Sequence, residues 1–300
     1  MMKNYKLFLL CRYLDYSTYS CSNLNKLNSI QSVNEKLRNI DDNWIGWFIG
    51  FCDAEGNFQT FPKKRVRKDK SVYYNVGYGF HLGLHSRDKD LMNLIHSKLG
   101  YRGKVYEYHK SNKDEIHLAV TQLEELNWLN ENLFDSYPLL TKHQWDRYCR
   151  LRYGVLNKIN RMETLQDYED FISDKNLSWT KPQLTNIQDP QFIRFLDNWI
   201  SGFINGEGTF NIVNNKTFRF YIEQTENNVL TLIRERLACG PQVLERKQRG
   251  TRKLTWSLDI SSKKDITRLI ELFESNNVTS LQGYKYYQYK EWADKFRSSY

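Results

Sequence analysis

The sequence offers two glutamates for chemistry, Glu55 and Glu207, each followed by a glycine and, three residues on, a phenylalanine: Glu55-Gly56-Asn57-Phe58 and Glu207-Gly208-Thr209-Phe210. The stretches that hold them, WIGWFIGFCDAEGNF at Trp44–Phe58 and LDNWISGFINGEGTF at Leu196–Phe210, repeat one another. Trp47/Trp199, Gly50/Gly202, Phe51/Phe203, Glu55/Glu207, Gly56/Gly208 and Phe58/Phe210 stand in register. A lone glutamate before a C′ glycine reads as a solvated acid at a helix end. The same acid in the same slot of an internal repeat reads as one element of a site built from two similar halves.

Two carboxylates held together repel and raise each other's pKa, and the negative end of a helix adds to the effect. A divalent cation removes that conflict. Mg²⁺ suits such a site because it takes one or two carboxylates and leaves its other positions to water and phosphate oxygens.

The elements that must bring the glutamates together are apolar helices, each stopping at a glycine and handing over to a strand. Small residues recur every fourth position, Gly46, Gly50 and Ala54 in one copy and Gly202 and Gly206 in the other. That spacing lines one helix face. A face without side chains lets two backbones approach, as in small-xxx-small pairs. If each face packs on the other, Glu55 and Glu207 end side by side. A membrane pair is excluded, since the apolar run Trp44–Cys52 falls far short of the ~20 residues a span needs.

Net charge narrows the partner. Forty-four Lys and Arg against thirty-five Asp and Glu give +9 in 300 residues, which suits a polyanion. With 15% aromatic and 40% hydrophobic residues the chain is not a disordered basic tail, and its length supports two modest cores. Five scattered cysteines without a CxxC pair fit a reduced compartment and support no zinc site. The six histidines all lie in the first half without HExxH spacing, and no HNH or GIY…YIG pattern occurs. Richness in Asn, Lys, Tyr and Ile fits an AT-rich organellar genome, mitochondrial or, alternatively, chloroplast.

FIGFCDAEG at Phe48–Gly56 and ISGFINGEG at Ile200–Gly208 resemble the two signature copies of a single-chain LAGLIDADG homing endonuclease, a family that also contains group I intron maturases. The resemblance covers about Asn43 to Lys295. It implies an α+β fold of two pseudo-twofold αββαββα halves, with the signature helices at the interface and antiparallel sheets forming a saddle over DNA. The divisions expected are an N-terminal extension at 1–40, read as a targeting or read-through segment, a first half at 41–156, a linker at 157–190 and a second half at 191–300.

Within the first half, strands are expected at Asn57–Lys64 and Ser71–His85, around a turn dense in cations, with Tyr73, Tyr74 and Tyr78 beside it. A β-ribbon of this kind fits the DNA major groove. Asp88–Leu99 reads as an amphipathic helix with Leu91, Leu94, Ile95 and Leu99 inward. A second hairpin follows, Lys104–His109 with Glu115–Val120, then a helix at Gln122–Phe134. In the second half, Thr209–Val213 pairs with Thr217–Gln224 and Gln242–Lys247 with Lys253–Ile260; helices are read at Asn227–Leu237, Lys264–Phe273 and Tyr284–Arg297. The linker carries a short acidic helix candidate at Glu163–Ile172. DNA contacts are expected from Lys63, Lys64, Arg65, Arg67, Lys68, Tyr73, Lys104, Lys110, Lys113, Lys216, Arg219, Arg246, Lys247, Arg249 and Arg252.

By the same resemblance, Glu55 and Glu207 are metal ligands and Gln224 lies near a metal-held water, with Ser86 opposite it in the first half. Lys285 is the basic helper of the second site. Tyr137–His143 resembles the family's segment ending in Thr-Lys-Lys, here departing to Thr141-Lys142-His143; either Lys142 or His143 could stabilise phosphate charge. The implied activity is Mg²⁺-dependent cleavage of both strands of a long asymmetric duplex DNA target. The alternative is an RNA maturase steadying its host group I intron, with or without nuclease activity. The chain is expected to be a monomer with an internal pseudo-dimer.

Overall fold

The computed structural model describes residues 40–110, 113–174, 177, 190–214, 216–247 and 253–300. Its centre is a pair of helices, α1 (Asp42–Glu55) and α6 (Pro190–Glu207). Asp41 opens α1 by accepting the Asn43 N–H at 3.2 Å, as an N-cap aspartate should. The helices meet backbone to backbone. A Cβ at Gly50 would lie far under 3.0 Å from the Trp199 carbonyl oxygen, and one at Gly202 would meet the Trp47 oxygen in the same way. The aromatic pairs beside the contact repeat as well: Trp47 stacks on Phe51 with centroids 5.0 Å apart, Trp199 on Phe203 at 4.7 Å.

Gly56 ends α1 without a left-handed turn, at φ −73° and ψ 152°. It is glycine because a Cβ there would run into the Cys52 carbonyl. The chain leaves extended, straight into the first strand.

Each half then lays down the same sheet. In the first, β1 (Gly56–Val66), β2 (Val72–His85), β3 (Lys104–Lys110) and β4 (Lys113–Val120) order as β1-β2-β4-β3. In the second, β6 (Thr209–Val213), β7 (Thr217–Gln224), β8 (Leu244–Arg246) and β9 (Thr255–Ile260) order as β6-β7-β9-β8. All pairings are antiparallel. Alternate residues such as Phe58, Phe80, Leu82 and Leu118, or Phe220, Ile222, Leu258 and Ile260, enter one continuous core; the other face of each sheet is left open.

Helices cover the core face: α2 (Lys89–Lys98), α3 (Leu123–Leu129), which runs on as a π-turn over Asn130–Phe134, and α4 (Lys142–Leu156) in the first half. Their counterparts are α7 (Asn227–Arg236), α8 (Lys263–Glu274) and α9 (Gly283–Ser299). Leu94 departs from the expected inner face of α2. It is exposed, and Met92 is buried in its place beside Leu91 and Ile95.

The linker is partly sheet. β5 (Arg161–Met162) pairs with β2, setting Tyr74 opposite Met162 and Asn75 opposite Arg161. α5 (Leu165–Ser173) follows, opened by a reciprocal capping box of Thr164 and Asp167. Buried Tyr168 donates its hydroxyl to the Thr60 carbonyl at 2.6 Å, and Tyr78 donates to Ile159 at 2.6 Å. Residues 159–168 therefore pack as part of the first half. The expectations for residues 1–39, for Arg249 and for Arg252 fall outside the described residues.

Asp53 ties the seam to the entry of α4. Its buried carboxylate accepts Leu140 N at 2.6 Å, Thr141 N at 3.1 Å, Thr141 Oγ1 at 2.6 Å and, across the halves, Trp199 Nε1 at 2.7 Å. Burial still pushes its pKa up to about 6 against those bonds. Asn205, in the same slot of the repeat, accepts Gln282 N at 2.6 Å. Among the described residues no helix is long and apolar enough to cross a membrane.

A methyl group at the helix contact has nowhere to go. Gly202→Ala is expected to destabilise the chain by about 3 kcal/mol or more, lowering Tm by roughly 6–12 °C in a chain of this size; calorimetry of the variant checks it, and a shift under 2 °C would refute the backbone contact.

Candidate active site and nucleic-acid face

Glu55 and Glu207 close the C-terminal ends of α1 and α6 at the same end of the seam. The Glu55 Oε1 lies 3.1 Å from where a Cβ at Gly206 would stand, so the bare Gly206 backbone makes room for the opposite helix's carboxylate. Both glutamates are half-buried. Burial pushes both carboxyl pKa values up, and the charge of Glu207 pushes Glu55 up further. The Lys285 ammonium opposes this at both carboxylates; at Glu207 a hydrogen bond from Gln224 and the His143 imidazole oppose it too.

Lys285 sits at the start of α9, half-buried, with Nζ donating to the Gly208 carbonyl at 2.6 Å. Burial pushes its pKa down, and the negative charge of Glu55 holds it up against that loss. Two half-buried carboxylates thus share their surroundings with one ammonium.

The donor set fits a hard divalent cation. It consists of carboxylate oxygens, and among the described residues no group of three or more His, Cys, Asp or Glu is placed to hold a metal ion. A complete protein cage of the zinc type is therefore not what the geometry offers. Two carboxylates with open remaining positions match the demands of Mg²⁺.

The repeat can be laid over itself hydrogen bond by hydrogen bond. Thr141 and Gln282, the N-cap residues of α4 and α9, give their N–H groups to Asp53 and Asn205, Asp53 taking Leu140 N as well. Counting on three residues pairs Gln144 with Lys285, and Gln144 Nε2 donates to the Gly56 carbonyl as Lys285 Nζ donates to Gly208. The first-half counterpart of Lys285 is therefore Gln144, not His143. Lys142 is not at the site either: its ammonium pairs with Asp146 one turn along α4 and does not act on either glutamate. His143 does act on Glu207, with its Nδ1 3.0 Å from Glu226.

A second correction concerns Ser86, the expected counterpart of Gln224. The ladders set Phe220 opposite Ile260 and Phe80 opposite Val120, so Leu84 takes the place of Gln224 in the first sheet. Ser86 was expected there. The count from the helices, where Ile95 matches Ile233, points to Ser86; the count from the strands points to Leu84. The two extra residues sit in a 3-10 turn at Ser86–Asp88. One site therefore has a lysine and a glutamine where the other has Gln144 and Leu84.

The ladder also sorts the open sheet face, since alternate residues point to opposite sides. Lys63 pairs with Asn75 and Arg65 with Tyr73, on the side away from core residues Val76, Tyr78 and Phe80. Lys64, paired with Tyr74, lies on the other side, which removes Lys64, Tyr74 and Tyr78 from the expected reading face. These three strand cations are ladder residues rather than turn residues because β1 continues to Val66; Lys68 remains in the exposed turn. Arg67 donates to Glu163 at 2.5 Å and to Ser71 at 3.0 Å, lying over the Tyr73 ring.

Lys104 pairs with Ala119, which places it on the open face with exposed Tyr106 and Tyr108; Tyr106 stacks on His117 at 5.3 Å. Lys110 and Lys113 pair with each other at the ladder's end. In the second half Arg219 is held by Asp259, and Tyr221 lies beneath both Arg219 and Arg246. Lys216 and Lys247 are exposed beside their strands. Arg161 went unread in the sequence because it lies in the linker. It joins the open face opposite Asn75, over the Tyr73 ring at 4.4 Å, and lines with Lys63, Arg65, Tyr73 and Asn160 a groove of about 500 Å³.

Two like α+β halves, closed along a helix seam that ends in paired carboxylates and opening two basic sheet faces, define a pseudo-dimeric single-chain protein. The chain belongs to the LAGLIDADG endonuclease family, whose model matches residues 48–151 and 200–295. It is similar to an uncharacterized mitochondrial protein, RF1, of Saccharomyces cerevisiae, 28% identical over 221 residues, covering 71% of this chain and 43% of that one. It is also similar to the probable intron-encoded endonuclease Cox1-I1b of Schizosaccharomyces pombe, 25% identical over 264 residues, 85% of this chain and 64% of that one. The chain spans roughly half the length of these curated relatives. Among solved structures, the LAGLIDADG homing endonuclease I-LtrWI bound to target DNA superposes with a TM-score of 0.65 at 23% identity, covering 86% of this chain and 91% of that one.

Each glutamate's folded pKa stands above its unfolded value, so the folded state holds these protons more tightly. The pair therefore costs stability as pH rises above the unfolded carboxylate range. Without divalent cations at pH 7.5, Glu55→Gln is expected to raise Tm by about 2 °C, a gain that vanishes at pH 4; a fall in Tm at pH 7.5 would contradict the crowded pair.

Proposed function

We propose that the chain is an intron-encoded, site-specific DNA endonuclease that makes a double-strand break by divalent-metal-dependent phosphodiester hydrolysis. The observation that carries this reading is the meeting of Glu55 and Glu207 at one end of the seam, beside Lys285 and between two basic sheet faces. The retained pair separates it from the maturase reading, which the same fold and charge would allow but which has no use for it.

Glu55 and Glu207 would hold Mg²⁺, which when bound polarises the scissile phosphates and lowers the pKa of a water. The protein residues do the rest. Lys285 supplies positive charge to the phosphate where negative charge develops, while Gln224, bonded to Glu207, orients that carboxylate. The open faces position the duplex, with Lys63, Arg65, Arg161 and Arg246 on phosphates and Gln59, Asn75 and Tyr106 toward base edges. A mitochondrial intron is the source that fits best, given the mitochondrial relative.

Two measurements test this. A plasmid carrying the intronless host gene should be linearised in Mg²⁺ and left intact in EDTA. Because one site has Lys285 and the other Gln144, one strand should be nicked about tenfold ahead of the other, and Gln144→Lys should narrow that gap. Failure of folded, DNA-binding protein to cut refutes the endonuclease reading. In binding, the Lys63→Ala/Arg65→Ala pair should lower the slope of log K against log salt by about 1–2, whereas Lys64→Ala leaves it nearly unchanged.

A further inference from the structure

At the carboxylate end of the seam an acid of each half reaches over to cap a helix of the other. Asp88, in the turn between β2 and α2, accepts the Tyr284 N–H at the start of α9 at 2.6 Å. Glu226, just before α7, accepts Lys142 N at 2.7 Å and His143 N at 3.0 Å at the start of α4. Asp88 and Glu226 are repeat counterparts, in the same register as Ile95/Ile233 and Leu99/Leu237. Neither helix caps itself: Gln282 and Thr141, at the two N-cap positions, make no side-chain cap bond, and the Thr141 hydroxyl is spent on Asp53.

The clasp on α9 is tightly fitted. Gly283 adopts φ +61°, and a Cβ there would collide with Asp88 Oδ1. The Arg87 guanidinium lies 3.8 Å above the Tyr284 ring. One residue beyond the last capped N–H of each helix stands the side chain that reaches its own half's glycine carbonyl, Lys285 after Tyr284 and Gln144 after His143.

We infer that Asp88 and Glu226 are reciprocal positioning residues, each fixing from the opposite half the helix start that carries Lys285 or Gln144, so that the setting of the two halves governs each cleavage site separately. They fix the helix starts through backbone N–H groups and do not touch the phosphate. The Asp88 charge also bears on Glu55 and Lys285, and Glu226 also meets His143 Nδ1 at 3.0 Å. Asp88→Asn, which keeps the bond and loses the charge, is therefore carried through both arms of the test. The functional part rests on the endonuclease reading; the structural part does not.

Hydrogen exchange on the intact chain tests the clasp without activity. Asp88→Ala should speed exchange of the amides of residues 284–286 by about tenfold, the worth of a lost cap, and leave those of 142–144 unchanged; Glu226→Ala should do the reverse. Asp88→Asn, whose Oδ1 still accepts a bond, should restore protection. Strand-resolved nicking is the second arm. Asp88→Ala should slow by about tenfold the strand that Lys285→Gln slows, with target affinity and the other strand unaffected, and Asp88→Asn should restore that strand's rate. Equal exchange changes at both helix starts, or none, overturn the clasp. Equal slowing of both strands overturns its role in positioning. If wild-type protein cuts neither strand, the endonuclease reading falls and exchange alone decides the clasp.

Discussion

The two backbones touch at Gly50 and Gly202, and the rest of the structure follows from how closely they do so. With a side chain at either position the helices would stand apart, and their C-terminal ends would separate with them. Only at this distance does Glu55 lie over the bare Gly206 backbone of the opposite helix. The seam is therefore both the hydrophobic centre of the molecule and the device that builds a polar site at its edge. Asp53, bonded to Trp199 and to the entry of α4, locks that edge to the helices behind it.

Duplication gave both halves the same scaffold without holding both sites to the same chemistry. The hydrogen bond to the glycine carbonyl after each glutamate survives in both, made by Lys285 in one half and Gln144 in the other. An amide preserves the geometry of the slot and gives up its charge. The carboxylate pair is common to both halves, so under the proposed reading a cation held there would serve both phosphates while the ammonium is near one. Asymmetry of the protein in this form suits an asymmetric target, with different side chains on the two open faces.

Much of this was legible in the sequence. The repeat, the small-residue faces and the paired glutamates fixed the seam, and in the second half the hairpin Thr209–Val213 with Thr217–Gln224 agrees with the structure to the residue. What was not legible was register. Lys142 or His143 was matched to Lys285 through the resemblance of Tyr137–His143 to the family's Thr-Lys-Lys segment, and Ser86 to Gln224 by register along the chain. A two-residue insertion at the 3-10 turn and an eleven-residue difference between the halves' seam-to-helix spacings defeat such a count, and the matching N-cap positions of Thr141 and Gln282, with the bonds of Gln144 and Lys285 to the glycine carbonyls, restore it. Lys64 was misplaced for the same reason, since one residue of register separates the two faces of a strand. Helix α4 escaped notice because Lys142, Asp146, Arg150 and Arg152 interrupt the apolar stripe of Trp145, Tyr148 and Val155, and Arg161 because a polar linker gives no sign that part of it will join a sheet.

The central claim is that Glu55 and Glu207 form one site. A double-mutant cycle measures it most directly, with Mg²⁺-dependent cleavage rates of the wild type, Glu55→Gln, Glu207→Gln and the doubly substituted protein on the same target. If the carboxylates share a cation, the double variant loses no more than either single one, because the first substitution has already removed what the second would remove. Losses that multiply would mean two independent acids, and the shared site would be wrong.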